Sequence, residues 1–218
     1  NFGWWINKVD SNGNNIFEGG FLGLDNITLF DRSKKLPGDA ILEQSDATGW
    51  MGFFCLIMMR MALELAKENR TYEGLASKFF QHYVYVGAAM KKMGGRNHNL
   101  WDEEDGFFYD VLRFPDGAAT RLKVRSIVGL LPLAAVVVFE EDILARLPTF
   151  GKNARRFLAR HPDLIANMHL PGTPGVGNRR MLSIVDEGKL RRILARMLDE
   201  SEFFGPYGIR ALSRYHLD

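Results

Sequence analysis

The chain has 218 residues, 46% apolar and 25% charged, a balance that excludes disordered, collagen-like and low-complexity classes. Cys55 is the single cysteine, so a disulfide-stapled secreted mini-protein is excluded and a reducing compartment, the cytoplasm, is the expected location. The net charge of +2 is too small to imply a nucleic-acid or membrane partner, yet it is uneven: residues 1–120 carry 12 basic and 16 acidic side chains, residues 121–218 carry 16 and 10.

The chain opens at Asn1 with no initiator methionine and no signal-peptide pattern, and it stops in RYHLD. It therefore reads as a piece of a longer protein, incomplete at both ends. The first distinctive segment, NIFEGGFLGLDN (15–26), is too rich in glycine for a regular helix. It places Glu18 and Asp25 among Phe17, Phe21 and Leu24. A carboxyl partly desolvated by such neighbours has a raised pKa, which suits a general acid. The plainer alternative is that Asp25 or Asn26 caps a turn.

Two apolar runs follow, ATGWMGFFCLIMM (47–59) and IVGLLPLAAVVVF (127–139), each of 13 residues. A bilayer needs ~20 residues, so both are predicted to be helices buried inside protein. Helices apolar on nearly every side ask for an outer layer around them. The stretch from Tyr72 to Lys92 supplies one candidate, with Leu75, Phe79, Tyr83, Val86 and Met90 as its inward stripe. Asp186 to Leu198 supplies another, with Asp186 as N-cap.

LWDEEDGFFYD (100–110) sets four consecutive carboxylates behind Trp101, and their mutual repulsion predicts an exposed turn. Trp101 beside carboxylates is also how a protein holds a sugar ring, C–H face on indole and hydroxyls on acids. The continuation to Arg125 through Pro115, Asp116 and Gly117 predicts a β-hairpin. KNARRFLAR (152–160) and KLRRILARM (189–197) could track a nucleic-acid backbone, but no aromatic residues interleave, and solvated outer helix faces are the reading taken. The segment 161–180, rich in Pro and Gly, is predicted to be a long loop. Its GTPGVGNRR string could cradle a phosphate, but it contains a proline and follows no predicted strand. FFGPYGIRALSRYH (203–216) brings Tyr207, Arg210 and Tyr215 together around Gly205 and Gly208.

No GxSxG, GxxxxGK[ST], HExxH or CxxC motif occurs, and the five histidines lack ligand spacing. Aromatics, carboxylates and glycine-rich loops joining helices point together to a carbohydrate cleft.

GGFLGLDN, WDEEDGFFYDV, LKVRSIVGLLPL and GPYGIRALSRYH, in this order along nearly the whole chain, resemble glycoside hydrolase family 63. That group holds bacterial glucosidase-like proteins, relatives of processing α-glucosidase I and mannosylglycerate hydrolase. The resemblance implies an all-α fold, part of an (α/α)6 toroid with a short β-hairpin insertion, whose catalytic domain residues 1–218 would only partly cover. It implies an inverting hydrolase cleaving an α-glucosidic bond of an oligosaccharide or small α-glucoside. Asp25, in the family's Gly-Leu-Asp-Asn type motif, would be the general acid, and Asn26 matches its neighbour. Asp46 in SDATGWM would be a cleft residue, and Trp101, Tyr207 and Arg210 sugar contacts. The family's general base is a glutamate expected beyond residue 218, with the remainder of the toroid as partner. No cofactor is implied, and no calcium loop of DxDxDG type is present. The rival expectations are a non-catalytic helical scaffold binding a glycan or a protein, and a related toroid hydrolase acting on mannosylglycerate or trehalose.

Overall fold

The computed structural model describes residues 1–9, 13, 15–18, 23–24, 26–91, 99–140, 142–165, 168 and 174–217, and the elements named below are those of the described residues. After a short helix α1 (Phe2–Ile6) and strand β1 (Ile41–Glu43) come the two long helices, α2 (Ser45–Ala66) and α3 (Tyr72–Ala89). Short strands follow: β2 (Trp101–Asp102), β3 (Phe107–Phe108), β4 (Asp110–Arg113), β5 (Ala119–Leu122) and β6 (Val136–Phe139). The rest is α4 (Ile143–Arg146), α5 (Pro148–Arg160), α6 (Pro162–Ile165), β7 (Arg180–Ser183), α7 (Glu187–Met197), β8 (Phe204–Gly205) and β9 (Gly208–Ile209).

Helix α2 contains the first apolar run and is the spine of the core. Its 22 residues span ~33 Å at ~1.5 Å per residue. Cys55, Leu56, Met59, Ala62 and Leu63 are buried with Phe79, Phe80, Tyr83 and Val84 of α3 in one cluster. By length and hydropathy α2 could cross a membrane, but half of its most apolar window is already buried within the chain. Trp50, Ile57, Met61 and Leu65 remain partly exposed. The predicted stripe of α3 is buried at Phe79, Tyr83, Val86 and Met90, whereas Leu75 faces out.

The second apolar run is not a helix. It forms two 3-10 turns, Ile127–Gly129 and Leu131–Ala134, and then β6. Pro132 supplies no N–H for a helical ladder, and α2 offers these turns a close seat. A Cβ on Gly49 would stand 2.8 Å from the Pro132 Cα, and one on Gly52 would stand 3.3 Å from the Ala135 Cβ. Glycine at both positions lets the turns lie directly on α2, where the Tyr83 hydroxyl donates to the Ala135 carbonyl at 3.1 Å. β6 then alternates, Val137 and Phe139 inward, Val136 and Val138 outward. It pairs antiparallel with β7 from Val136↔Ser183 to Phe139↔Arg180.

The all-α expectation is therefore overturned: the chain is mixed α/β, with four small antiparallel sheets interleaved with the helices. It is not an all-α toroid arc with a single hairpin. Sheet β1-β4-β5 contains the predicted hairpin, its turn closed by Asp116 accepting from the Ala118 N–H at 2.9 Å. β2-β3 and β8-β9 are two-residue ladders. Of the predicted loop 161–180, the structure describes α6, a 3-10 turn at Val176–Asn178 and the start of β7, while residues 166, 167 and 169–173 lie outside the described residues. The helix predicted at Asp186 is present, and the Asp186 carboxylate caps it by accepting from the Lys189 N–H at 2.8 Å.

The turn between β2 and β3 bears out the expected exposed acidic stretch at Glu103 and Glu104 and departs from it at Asp102 and Asp105. Asp102 is 3% exposed. Arg121 lies 3.0 Å from it, Lys123 3.1 Å and Arg125 3.2 Å from Asp105, and Arg192 3.3 Å from Glu103. Every one of these cations comes from the basic part of the chain, residues 121–218. Glu104 is 90% exposed at its side chain.

Candidate functional site

The amino end of α2 is built from buried polar groups. Gln44 is extended and precedes the first turn, its carbonyl accepting from the Thr48 hydroxyl at 2.6 Å. That hydroxyl also accepts from the Phe17 N–H at 3.1 Å, and the Phe17 carbonyl accepts from the Gln44 N–H at 3.3 Å. The start of the glycine-rich segment is thus pinned to the helix start.

Arg32 ties the other end of that segment to the same place. Its side chain is fully buried, with Nε donating to Asp110 at 2.9 Å and the two terminal nitrogens donating to Asp46. Nη1 also donates to the Leu24 carbonyl at 3.2 Å. The second Asp110 oxygen accepts from the Ser45 N–H at 2.9 Å. Asp46 sits in the first helical turn, where the helix dipole favours a negative charge. One guanidinium between two carboxylates leaves the cluster one negative charge in excess.

That excess shows in Asp110. Burial pushes its carboxyl up to about 6, Arg32 opposes the shift and the Asp46 carboxylate adds to it. A folded pKa above the unfolded value of ~3.9 means that the folded chain holds the proton more tightly, so this contribution to stability is complete below pH ~4 and is lost as pH rises toward about 6. Asparagine mimics the protonated acid. Denaturant melts should therefore show the stability of the wild type relative to Asp110→Asn falling between those limits as pH rises, and a constant or growing difference would reject the shift.

Beside this cluster opens a cavity of about 480 Å³, bounded by Glu18, Arg32, Lys34, Lys35, Ile41 and Gln44 among others. It lies within the ~300 to 1,000 Å³ range of small-molecule sites.

Of the residues singled out from the sequence, Asp25 lies outside the described residues. Asn26 is exposed, and Asp46 is in the Arg32 cluster. Trp101 is 2% exposed, edge-on to Phe108 at 4.9 Å, with Lys189 and Arg192 over its ring at 5.4 and 5.6 Å. As placed, the indole is a core residue and presents no open face. Tyr207 is fully exposed at the tip of the β8-β9 hairpin. Arg210 braces that hairpin by donating to the carbonyls of Glu200, Glu202 and Phe204.

Arg210 reaches a second neighbourhood, organised by Arg125, through Glu202. Arg125 pairs with Glu202 at 2.7 Å and Asp105 at 3.2 Å, and lies 3.8 Å from the Tyr215 ring centroid. The Tyr109 hydroxyl donates to Asp105 at 3.1 Å, while the next residue, Asp110, serves the Arg32 cluster. Sequence reasoning missed Arg32, Gln44 and Asp110. Arg32 reaches partners 14 and 78 residues away, a separation that no local motif encodes. Among the described residues, no group of three or more His, Cys, Asp or Glu side chains could hold a metal ion.

No family model matches the chain. The chain is 46% identical over 228 aligned positions to an uncharacterized Saccharomyces cerevisiae protein, YMR196W. The alignment takes in 99% of this chain and 21% of the yeast protein, so the chain spans about a fifth of that relative's length.

Proposed function

We propose that this chain is the acid-bearing segment of an inverting glycosidase that cleaves an α-glucosidic bond, akin in chemistry to glycoside hydrolase family 63. Asp25 is the general acid in this reading, and the general base is supplied by another part of the full-length protein. The observation that carries it is the anchoring of the Leu24 carbonyl, the group immediately before Asp25, to the buried Arg32–Asp46–Asp110 cluster beside a cavity of ligand size.

The chemistry needs a carboxylic acid that is still protonated when substrate arrives, with a second carboxylate ~6.5 to 9.5 Å away activating water on the opposite ring face. The reading rests on the four motifs and this cluster, not on a toroidal fold.

The test is proton NMR of the first-formed anomer when the full-length protein is given a panel of α-linked glucose disaccharides. Release of β-glucose is expected. Release of α-glucose would reject inversion, and no release from any member would reject the hydrolase.

A binding-only scaffold is the second reading. The observation that favours it is the fully exposed Tyr207, displayed on a hairpin that Arg210 holds rigid. A protein that binds these sugars and turns none of them over would establish it.

A further inference from the structure

We infer that the exposed face of α2 is the seat of an amphipathic helix supplied by the same polypeptide from outside residues 1–218. The inference stands whether or not the full-length protein cleaves a sugar. Trp50, Phe54, Ile57, Met61 and Leu65 follow one another at steps of four, three, four and four, a spacing that keeps a seam on one side of a helix. Phe54 is half-buried, and the other four are 39% to 56% exposed. From Trp50 to Leu65 the seam runs ~22 Å, about four helical turns.

Both flanks of the seam are built. On one side α1 packs against it, with Phe2 edge-on to Phe54 at 5.4 Å. The other side carries Arg60 and Glu64, which line a cavity of about 510 Å³ together with Val138, an outward residue of β6. A seam of this period accepts the knobs of a second helix. A bilayer is a poor occupant, because the charges of Arg60 and Glu64 stand beside the seam at mid-helix.

Area favours a tethered occupant over a separate one. At ~200 Å² per large side chain, the four exposures amount to roughly 400 Å² of apolar surface. That is about half of the ~800 Å² per partner found in stable free-standing complexes. A segment of the same chain needs less, since tethering turns docking into an intramolecular step at an effective concentration of ~mM. The aligned region is 21% of the yeast relative, so about four-fifths of that protein lies outside it.

Charge adds a requirement on the docked helix. Glu64 is answered by Lys67 at 2.6 Å, whereas Arg60 is exposed and forms no ion pair among the described residues. The docked helix therefore presents an apolar seam to α2 and a carboxylate on the Arg60 side.

The test places the photo-crosslinking residue p-benzoylphenylalanine at position 57 of the full-length protein. Irradiation is expected to join it to a residue of the same polypeptide outside 1–218, with a yield that survives about hundred-fold dilution, as mass action requires of an intramolecular contact. A link between two copies would make the face a dimer contact and overturn the assignment. Links only to residues of 1–218, or none, would overturn it too.

The unsubstituted protein gives an independent reading if that variant does not fold. Hydrogen peroxide should oxidise Met61 about ten-fold more slowly in the native full-length protein than in urea, because a covered thioether is out of reach of the oxidant. Equal rates would show a bare face and end the proposal. Arg60→Glu sets two carboxylates against each other and should raise the native rate several-fold, and an unchanged rate would overturn the acidic neighbour.

Discussion

Replacing Asp25 by asparagine in the full-length protein is expected to lower turnover of an α-linked disaccharide by about 10²- to 10⁴-fold, the range over which a positioned proton donor accelerates such reactions. The amide keeps the size of the side chain but cannot deliver a proton to the glycosidic oxygen. The loss should depend on the leaving group. An α-glucosyl fluoride leaves without protonation, so its hydrolysis should fall far less than that of a disaccharide with an alkoxide leaving group. Steady-state kinetics on the two substrates decide the role. Equal losses would make Asp25 a positioning residue, and unchanged rates on both would remove it from the reaction.

Arg32→Met should produce the largest loss of stability. The substitution keeps an aliphatic stem and removes the one cation that Asp46 and Asp110 share inside the protein. Breaking a buried ion pair from one side costs about 3–5 kcal/mol, because the partner charge is left unsolvated. Here two carboxylates would be left side by side.

The effect should also be pH-dependent. Arg32 is the group that holds the Asp110 carboxyl down against burial, so without it the folded pKa rises further. A raised carboxyl pKa recovers stability as the acid protonates, so the deficit of the variant should shrink as pH falls from neutral to about 6 and level off below, where Asp110 is protonated in both proteins. Urea melts at neutral and acidic pH provide the measurement. A deficit under about 1 kcal/mol at neutral pH, the range of a surface pair, would show that the cluster holds nothing together.

The long amphipathic elements were legible because periodicity and caps are local. α3, α7 with its Asp186 cap and the Asp116-Gly117 hairpin all lie where the residue pattern puts them. The run 127–139 was misread because its cues were ambiguous at short range. VVVF has alternating burial but no alternating polarity, and its partner strand lies more than forty residues downstream. Nothing in a 13-residue apolar window distinguishes a buried helix from turns seated on glycine, since Gly49 and Gly52 stand on another element.

The site divides in the same way. Asp46 was singled out only through the resemblance of SDATGWM, whereas Arg32 carries no signal in FDRSKK that its guanidinium turns inward. Trp101 was noticed for its acidic neighbours, yet those acids are matched by arginines and lysines from the second half of the chain. The indole packs beneath that meeting of charges.

The β2-β3 turn, where acids of the first 120 residues meet bases of the last 98, has a consequence for how the chain assembles. Opposite net charges on the two parts create a long-range attraction that acts before any side chain is in register. Added salt should slow this approach while changing the finished structure little, because a Debye cloud of ~8 Å at physiological ionic strength screens distant charges far more than pairs already shielded from water. The acidic turn would then act early as a kinetic beacon and late as a surface turn whose Asp102 and Asp105 are held in ion pairs.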